Sequence, residues 1–377
     1  MSENRIGTEQ AAAIDYDVHG LVRIRIQGAP SRILDAVGRQ LGQAQVAADG
    51  KPDIQVSFVD ALPPVGRLKF LGLRQAAYDD SYFYLLDAAG KRARVDLSGL
   101  GTSCDIVCER EIGHIPLLIQ ILSLYLLQKQ HVMLHAASFV HEGEGILVTG
   151  WQKGGKTETM LSFMAAGAEF IADEWTIVGG EEPTLFGISN VSRIWDWHLR
   201  SLPQYWPRIR PGARNRLRVW RLYRGLYRIL PMDRVPGRVA RRLRRVSMDG
   251  GAAWQGVDHI DPASLFGDSV RQEGAHLDRV FLPVVGVDDD VEVLPIDGGD
   301  IARRMVNSLA FERGALTTAY LQSLFAFPDR RSRLIEAAGE EEERLLARCL
   351  SGMPAFEIRH PYPVPLERMY TAARPFC

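Results

Sequence analysis

Eight residues, Gly150 to Thr157 (GWQKGGKT), constrain this chain more than any others. They fit the pattern G-x-x-x-x-G-K-[ST], and their flanks are the ones the pattern requires. In front stands a short apolar run, Ile146-Leu147-Val148, and behind it Glu158 to Ala166 places Met160, Leu161 and Met164 at helical spacing. A tight turn between a strand and a helix points successive amide N–H groups inward, at the positive end of the helix dipole. Gly154 and Gly155 let that backbone approach an anion with no Cβ in the way. Gly150, Lys153, Gly154, Gly155, Lys156, Thr157 and Glu158 are therefore expected to form a nucleotide phosphate site. Lys156 would reach the β- and γ-phosphates, and the Thr157 hydroxyl would take Mg²⁺. The bland alternative is a glycine turn whose lysine is only solvated; a strand on one side and a helix on the other argue against it.

A second apolar run, Phe170-Ile171-Ala172, ends in Asp173-Glu174. Carboxylates at the end of a strand that follows a phosphate loop are placed to hold Mg²⁺ or to accept a proton from an attacking hydroxyl. His135 lies in Val132 to Val140 (VMLHAASFV), which reads as one strand. A lone histidine there is more often a satisfied core residue than a functional one.

The chain has 377 residues, enough for two domains, with ordinary apolar and charged content (46% and 24%) and a net charge of −1. A molecule so balanced is not built as a whole to attract polyanions, so any such role falls to a local patch. Of the four cysteines, Cys104 and Cys108 are close in sequence, but no second pair or histidine cluster completes a zinc pattern; isolated thiols are the expectation. The opening MSENRIGTEQ has no apolar signal core, and the longest apolar run, Ile115 to Leu127, is shorter than the roughly 20 residues a spanning helix needs. A cytoplasmic protein without a membrane segment is expected.

Residues 1–110 alternate strand-like and helix-like pieces, the pattern of a small α+β accessory domain. Leu21 to Ile26, Asp53 to Phe58, Tyr82 to Leu86 and Ala93 to Leu97 read as strands; Ser31 to Leu41 reads as a helix capped by Ser31. Glu111 to Gln130 reads as one long apolar helix opening a catalytic domain over 111–377. Within that domain, Val280 to Val285, Val291 to Leu294 and Met353 to Arg359 read as strands, with helices at Asp300 to Leu309, Ala315 to Phe325 and Glu340 to Leu350.

An insertion rich in tryptophan and arginine spans about 195–255. It begins with Trp195, Trp197 and Trp206, and Arg208 to Arg245 contains fourteen arginines against one acid, Asp233, with Trp220, Tyr223 and Tyr227 interleaved. Such a stretch is a solvated helical face or lid, a docking surface for an acidic peptide or phosphorylated ligand, or a nucleic-acid contact. Nucleic acid ranks last, because no nucleic-acid module signature accompanies it.

Taken together, Leu134-His135, the strand Gly145 to Gly150, Gly155-Lys156-Thr157-Glu158-Thr159, Gly167 and Ile171-Ala172-Asp173-Glu174 resemble the catalytic domain of the HPr kinase/phosphorylase family. The likeness covers 111–195 well and 278–360 loosely. It implies an α/β P-loop fold related to phosphoenolpyruvate carboxykinase, and ATP- and Mg²⁺-dependent phosphorylation of a hydroxyl, often a protein serine. It further implies Lys156 on the phosphates, Thr157 on the metal, Asp173 as base, Glu174 assisting the metal and His135 near the phosphates. Related domains in biosynthetic clusters phosphorylate serines of small peptides, and the family often forms rings, so homo-oligomers are compatible with it. The chain departs from the family at Ala136, where a glycine is usual, and at Trp151-Gln152-Lys153, where the loop is usually small; the signature of the HPr-contacting loop is not evident after residue 195. The expectation is a kinase acting on a serine of a protein or small peptide docked on Arg208 to Arg245. The alternative is a non-catalytic nucleotide-binding scaffold that engages an acidic or nucleic-acid partner through that segment.

Overall fold

A computed structural model describes residues 13–42, 45–46, 50–188, 192–229, 257–271 and 273–377. The chain is mixed α/β and divides by contacts into two units. The first comprises Met1–Leu134, Ile177–Pro183 and Gly299–Ser351; the second comprises His135–Thr176, Thr184–Gly298 and Gly352–Cys377. This division differs from the one drawn on the sequence at residue 110, because the residues up to Leu134 and the helices within Gly299–Ser351 cluster with the N-terminal residues rather than with the loop. No helix among the described residues is long and apolar enough to cross a membrane.

The first unit is built on a nine-stranded sheet formed entirely by residues between Ile14 and Glu109. Strict alternation makes its strands: in Val22–Gln27 and Ile54–Val59 every second residue is buried. These two strands pair in parallel, which requires a crossover, and the helix Ser31–Leu41 supplies it, burying Ile33 and Val37. Ser31 is the first helical residue rather than the cap; extended Pro30 precedes it and no side chain caps the helix. The expected helix over 111–130 is shorter, Leu118–Gln128. Pro116 and a left-handed Leu117 (φ 60°) delay its start. Cys104 and Cys108 are buried free thiols, and burial pushes both up to about 12.

The second unit is built on a six-stranded sheet in the order Glu169–Ala172, Ala136–His141, Glu144–Thr149, Arg279–Val285, Ala355–His360, Glu292–Pro295. The three central strands, Glu144–Thr149, Arg279–Val285 and Ala355–His360, run parallel; the outer ones are antiparallel to their neighbours. Central strands covered on both faces read as continuous apolar runs, as GILVT and VFLPV do. The helix Lys156–Met164 packs on this sheet and against the helix Leu366–Ala373. Phe163 stacks between Phe139 and Phe281, at ring separations of 4.9 and 6.2 Å.

Strand direction decides what meets at the sheet's end. Thr149 and His360 close parallel strands at the same edge. Ala136, paired with Thr149, opens an antiparallel strand there, and Ala172, paired with Ser138, closes the outermost one. The residues that follow or precede these positions, the Gly150 loop, His135, Asp173 and His360, are thereby delivered to one edge from four separate strands. His135 is not inside a strand, as the sequence suggests. It interrupts two, with His131–Leu134 before it and Ala136–His141 after it in different sheets.

The tryptophan-rich segment forms the strand Ser192–Trp195, paired with Val257–Ile260, then the helix Asp196–Ser201, a short 3₁₀ turn Pro203–Arg208 and the helix Pro211–Ile229. Residues 230–256, and with them Arg234 to Arg245 of the expected docking surface, lie outside the described residues.

Candidate functional site

The loop after Thr149 turns tightly into the helix that begins at Lys156. Lys153 (φ 60°) and Gly155 (φ 108°) both take left-handed backbone. At Gly155 the need for glycine is double, since an added Cβ would also run into the His360 imidazole. A Cβ at Gly154 would lie 3.0 Å from the Trp151 carbonyl and 3.1 Å from that of Pro283. A side chain is excluded at Gly155 and would be crowded at Gly154, which leaves this part of the loop as bare backbone. Within the described residues the Gly155 and Thr157 amides form no hydrogen bond, as the first amides of a helix lack an intrahelical partner.

Lys156 is buried and bent back over the loop. Its Nζ donates to the carbonyls of Gly150 (3.2 Å) and Trp151 (2.9 Å). Thr157 Oγ1 donates to Asp173 Oδ1 at 2.8 Å. The other carboxyl oxygen, Asp173 Oδ2, is buried with no hydrogen-bond partner, as is Ser192 Oγ nearby. The Ser192 hydroxyl favours the ionised form of the carboxyl without reaching hydrogen-bonding geometry. Asp173 is only 4% exposed. Burial, and then the negative charge of Glu174, push its carboxyl up to about 8; the Thr157 hydroxyl pulls the other way without offsetting them.

Glu174 lies between two basic side chains, His135 Nε2 at 3.5 Å and Arg193 Nε at 3.4 Å. The His135 ring also packs against Trp175, at 5.4 Å between centroids. Lys153 is exposed on the turn. Glu158 is turned to a different task from the one its spacing suggests: buried, it accepts a 3.2 Å hydrogen bond from His198 Nε2. His198 Nδ1 accepts from the Trp195 amide at 3.1 Å, so the ring proton is carried on Nε2. Burial raises the Glu158 carboxyl, but the hydrogen bond from His198 leads the contributions that more than offset it and leave it below the ordinary carboxylate range.

Three residues of this edge escape sequence reasoning. Arg193 and His198 stand in a segment read only for its tryptophans and arginines, and His360 stands at the end of the last strand. His360 Nε2 lies 2.9 Å from the Gly154 carbonyl. No signal in the neighbouring sequence singles out any of the three. Among the described residues no group of three or more His, Cys, Asp or Glu side chains is gathered as a metal site. A hydroxyl and one or two carboxylates are what Mg²⁺ uses when phosphate oxygens supply its remaining ligands, and the orphaned Asp173 Oδ2 fits that use.

The arginine-rich segment is partly spoken for. Arg221 Nε donates to the buried Asp196 at 2.5 Å and its guanidinium covers the Trp206 ring at 4.5 Å; Arg208 donates to the Leu265 carbonyl at 2.9 Å. Arg210, Arg216 and Arg218 are exposed. Comparison with models of known protein families gives no match, and a search among curated proteins gives none.

Proposed function

We propose that this chain is an HPr kinase-like P-loop phosphotransferase that moves the γ-phosphoryl group of ATP to a hydroxyl, the acceptor being a serine of a protein or small peptide. The observation that carries the reading is the Thr157–Asp173 pair. A hydroxyl at the start of the loop helix bonds one oxygen of a buried carboxyl whose other oxygen has no partner, beside a loop stripped to bare backbone. An unsatisfied buried carboxyl at a glycine loop is a group held for chemistry rather than for stability.

In this reading Lys156 exchanges the Gly150 and Trp151 carbonyls for phosphate oxygens, and the Gly155 and Thr157 amides add neutral donors. Thr157, Asp173 and Glu174 would hold the Mg²⁺ that accompanies ATP, which when bound would offset charge on the phosphates. Asp173 takes the proton of the acceptor hydroxyl; a carboxyl pushed up to about 8 is matched to accept a proton near neutral pH. His135 and Arg193 orient Glu174 from either side. Acidic peptide docks on the 208–245 region, where Arg210 and Arg218 are exposed among the described residues. A cytoplasmic setting belongs to the same reading.

The test is transfer of label from γ-³²P ATP to cell lysate proteins and to candidate peptides, wild type beside Asp173→Asn. Asp173→Asn is expected to lower transfer by about 10²–10⁴-fold while nucleotide binding persists. Nucleotide binding with no Asp173-dependent transfer would instead make the chain a nucleotide-gated scaffold.

A further inference from the structure

His360 sits at the C-terminal end of the strand Ala355–His360, which the sheet order places two strands from the one that enters the loop. Its side chain is 1% exposed. Its Nε2 meets the Gly154 carbonyl at 2.9 Å, and its Nδ1 lies 2.8 Å from the Pro361 carbonyl. The ring also lies against Gly155 so closely that no Cβ fits between them. No other hydrogen bond from a described residue to the Gly154 carbonyl is formed.

The consequence follows from peptide geometry. The Gly154–Gly155 peptide is planar and trans, so its C=O and N–H point in opposite directions. Glycine on both sides leaves this peptide freer to rotate than any other in the loop. A hydrogen bond that fixes the carbonyl toward His360 therefore fixes the Gly155 amide away from it. That amide has no hydrogen-bond partner among the described residues.

We propose that His360 is a positioning residue for the anion-binding loop: by donating Nε2–H to the Gly154 carbonyl it sets the direction of the Gly155 amide, and so the loop's affinity for the phosphates of a nucleotide. The proposal rests on the nucleotide reading above and adds to it a residue that touches no substrate. Its chemical requirement is narrow. A donor must stand at the Nε2 position, which a glutamine amide nitrogen can occupy and an asparagine amide, one methylene shorter, cannot.

The experiment compares full-length wild type, H360Q, H360N and H360L by calorimetric titration with Mg·ADP, alongside the melting temperature of each. H360Q is expected to bind within about twofold of wild type. H360N and H360L are expected to bind about tenfold more weakly, the loss of one hydrogen bond's worth of preorganisation, and their melting temperatures should not track that split. Equal binding by all four, or equal loss by H360Q and H360N, would overturn the assignment, the latter showing that the ring only fills space. Should H360L fail to fold, the Q-against-N pair decides alone. A wild type that binds no Mg·ADP would overturn the nucleotide reading itself, and this assignment with it; a wild type that binds while the variants do not differ overturns this assignment only.

Discussion

Asp79 and Glu109, in the unit of the nine-stranded sheet, and Asp173, at the edge of the six-stranded one, are all buried carboxyls. Asp79 accepts from the Val65, Ser81 and Tyr82 amides and from the Tyr84 hydroxyl, at 2.7 to 2.8 Å. Glu109 accepts from the Leu62 and Arg92 amides and pairs with the Arg92 guanidinium. Burial raises both, yet these bonds more than offset it and leave them below the ordinary range. Asp173 has one hydroxyl for a partner and stands at about 8. Glu342 separates the causes. It too has an orphaned oxygen and a carboxyl raised by burial, but it forms an ion pair with Arg313. What sets Asp173 apart is therefore that it has neither the backbone amide donors of Asp79 and Glu109 nor the bonded guanidinium of Glu109 and Glu342.

The comparison can be broken in four ways. The largest expected effect is on transfer: Asp173→Asn removes it, as set out above, whereas Asp79→Ala leaves nucleotide binding intact. Next is stability, where the order reverses. Asp79→Ala strands four donors and is expected to cost roughly 3 kcal/mol or more in urea unfolding; Asp173→Asn should cost little and stabilise the metal-free protein at alkaline pH. Third is the pH dependence. Between the ordinary carboxylate range and about pH 8 the folded protein keeps on Asp173 a proton that the unfolded chain has released, so this group makes stability fall as pH rises through that window. Asp79 and Glu109 act oppositely, their stabilisation being present above the ordinary range and lost on acidification. Melting temperatures in magnesium-free buffer from pH 5 to pH 9 should therefore decline for wild type and decline less for Asp173→Asn; parallel curves would remove the distinction. The smallest effect concerns the arginines. Arg210→Ala should raise the KM of an acidic peptide without changing the melting temperature, while Arg221→Ala should lower the melting temperature, because Asp196 is buried behind it.

Local signals carried the sequence reading as far as they reach. The strand, loop and helix around Gly150 to Thr157, and the strand that delivers Asp173, are contiguous in sequence, and each was legible from apolar runs and glycine spacing. The Asp173–Thr157 bond needed only that these two neighbours fold beside each other. His360 meets Gly154 across 206 positions, through a sheet order that periodicity does not encode. Glu158 was read as part of the phosphate site because of where it stands in the motif; its partner His198 lies in a segment whose composition drew attention to charge rather than to this bond. The late helix start after Pro116 and Leu117 and the break at His135 are further cases in which an apolar run did not set the element's bounds.

The order of the six-stranded sheet also has a consequence for synthesis. The strand Glu292–Pro295 is made before Ala355–His360 but lies outside it, with the later strand inserted between it and Arg279–Val285. At about 5–20 residues per second, the Gly150 loop leaves the ribosome roughly 10–40 s before the histidine that bonds it. Throughout that interval the edge of Arg279–Val285 that pairs with Ala355–His360, and the strand Glu292–Pro295 beyond it, both lack the partner strand that the finished sheet gives them.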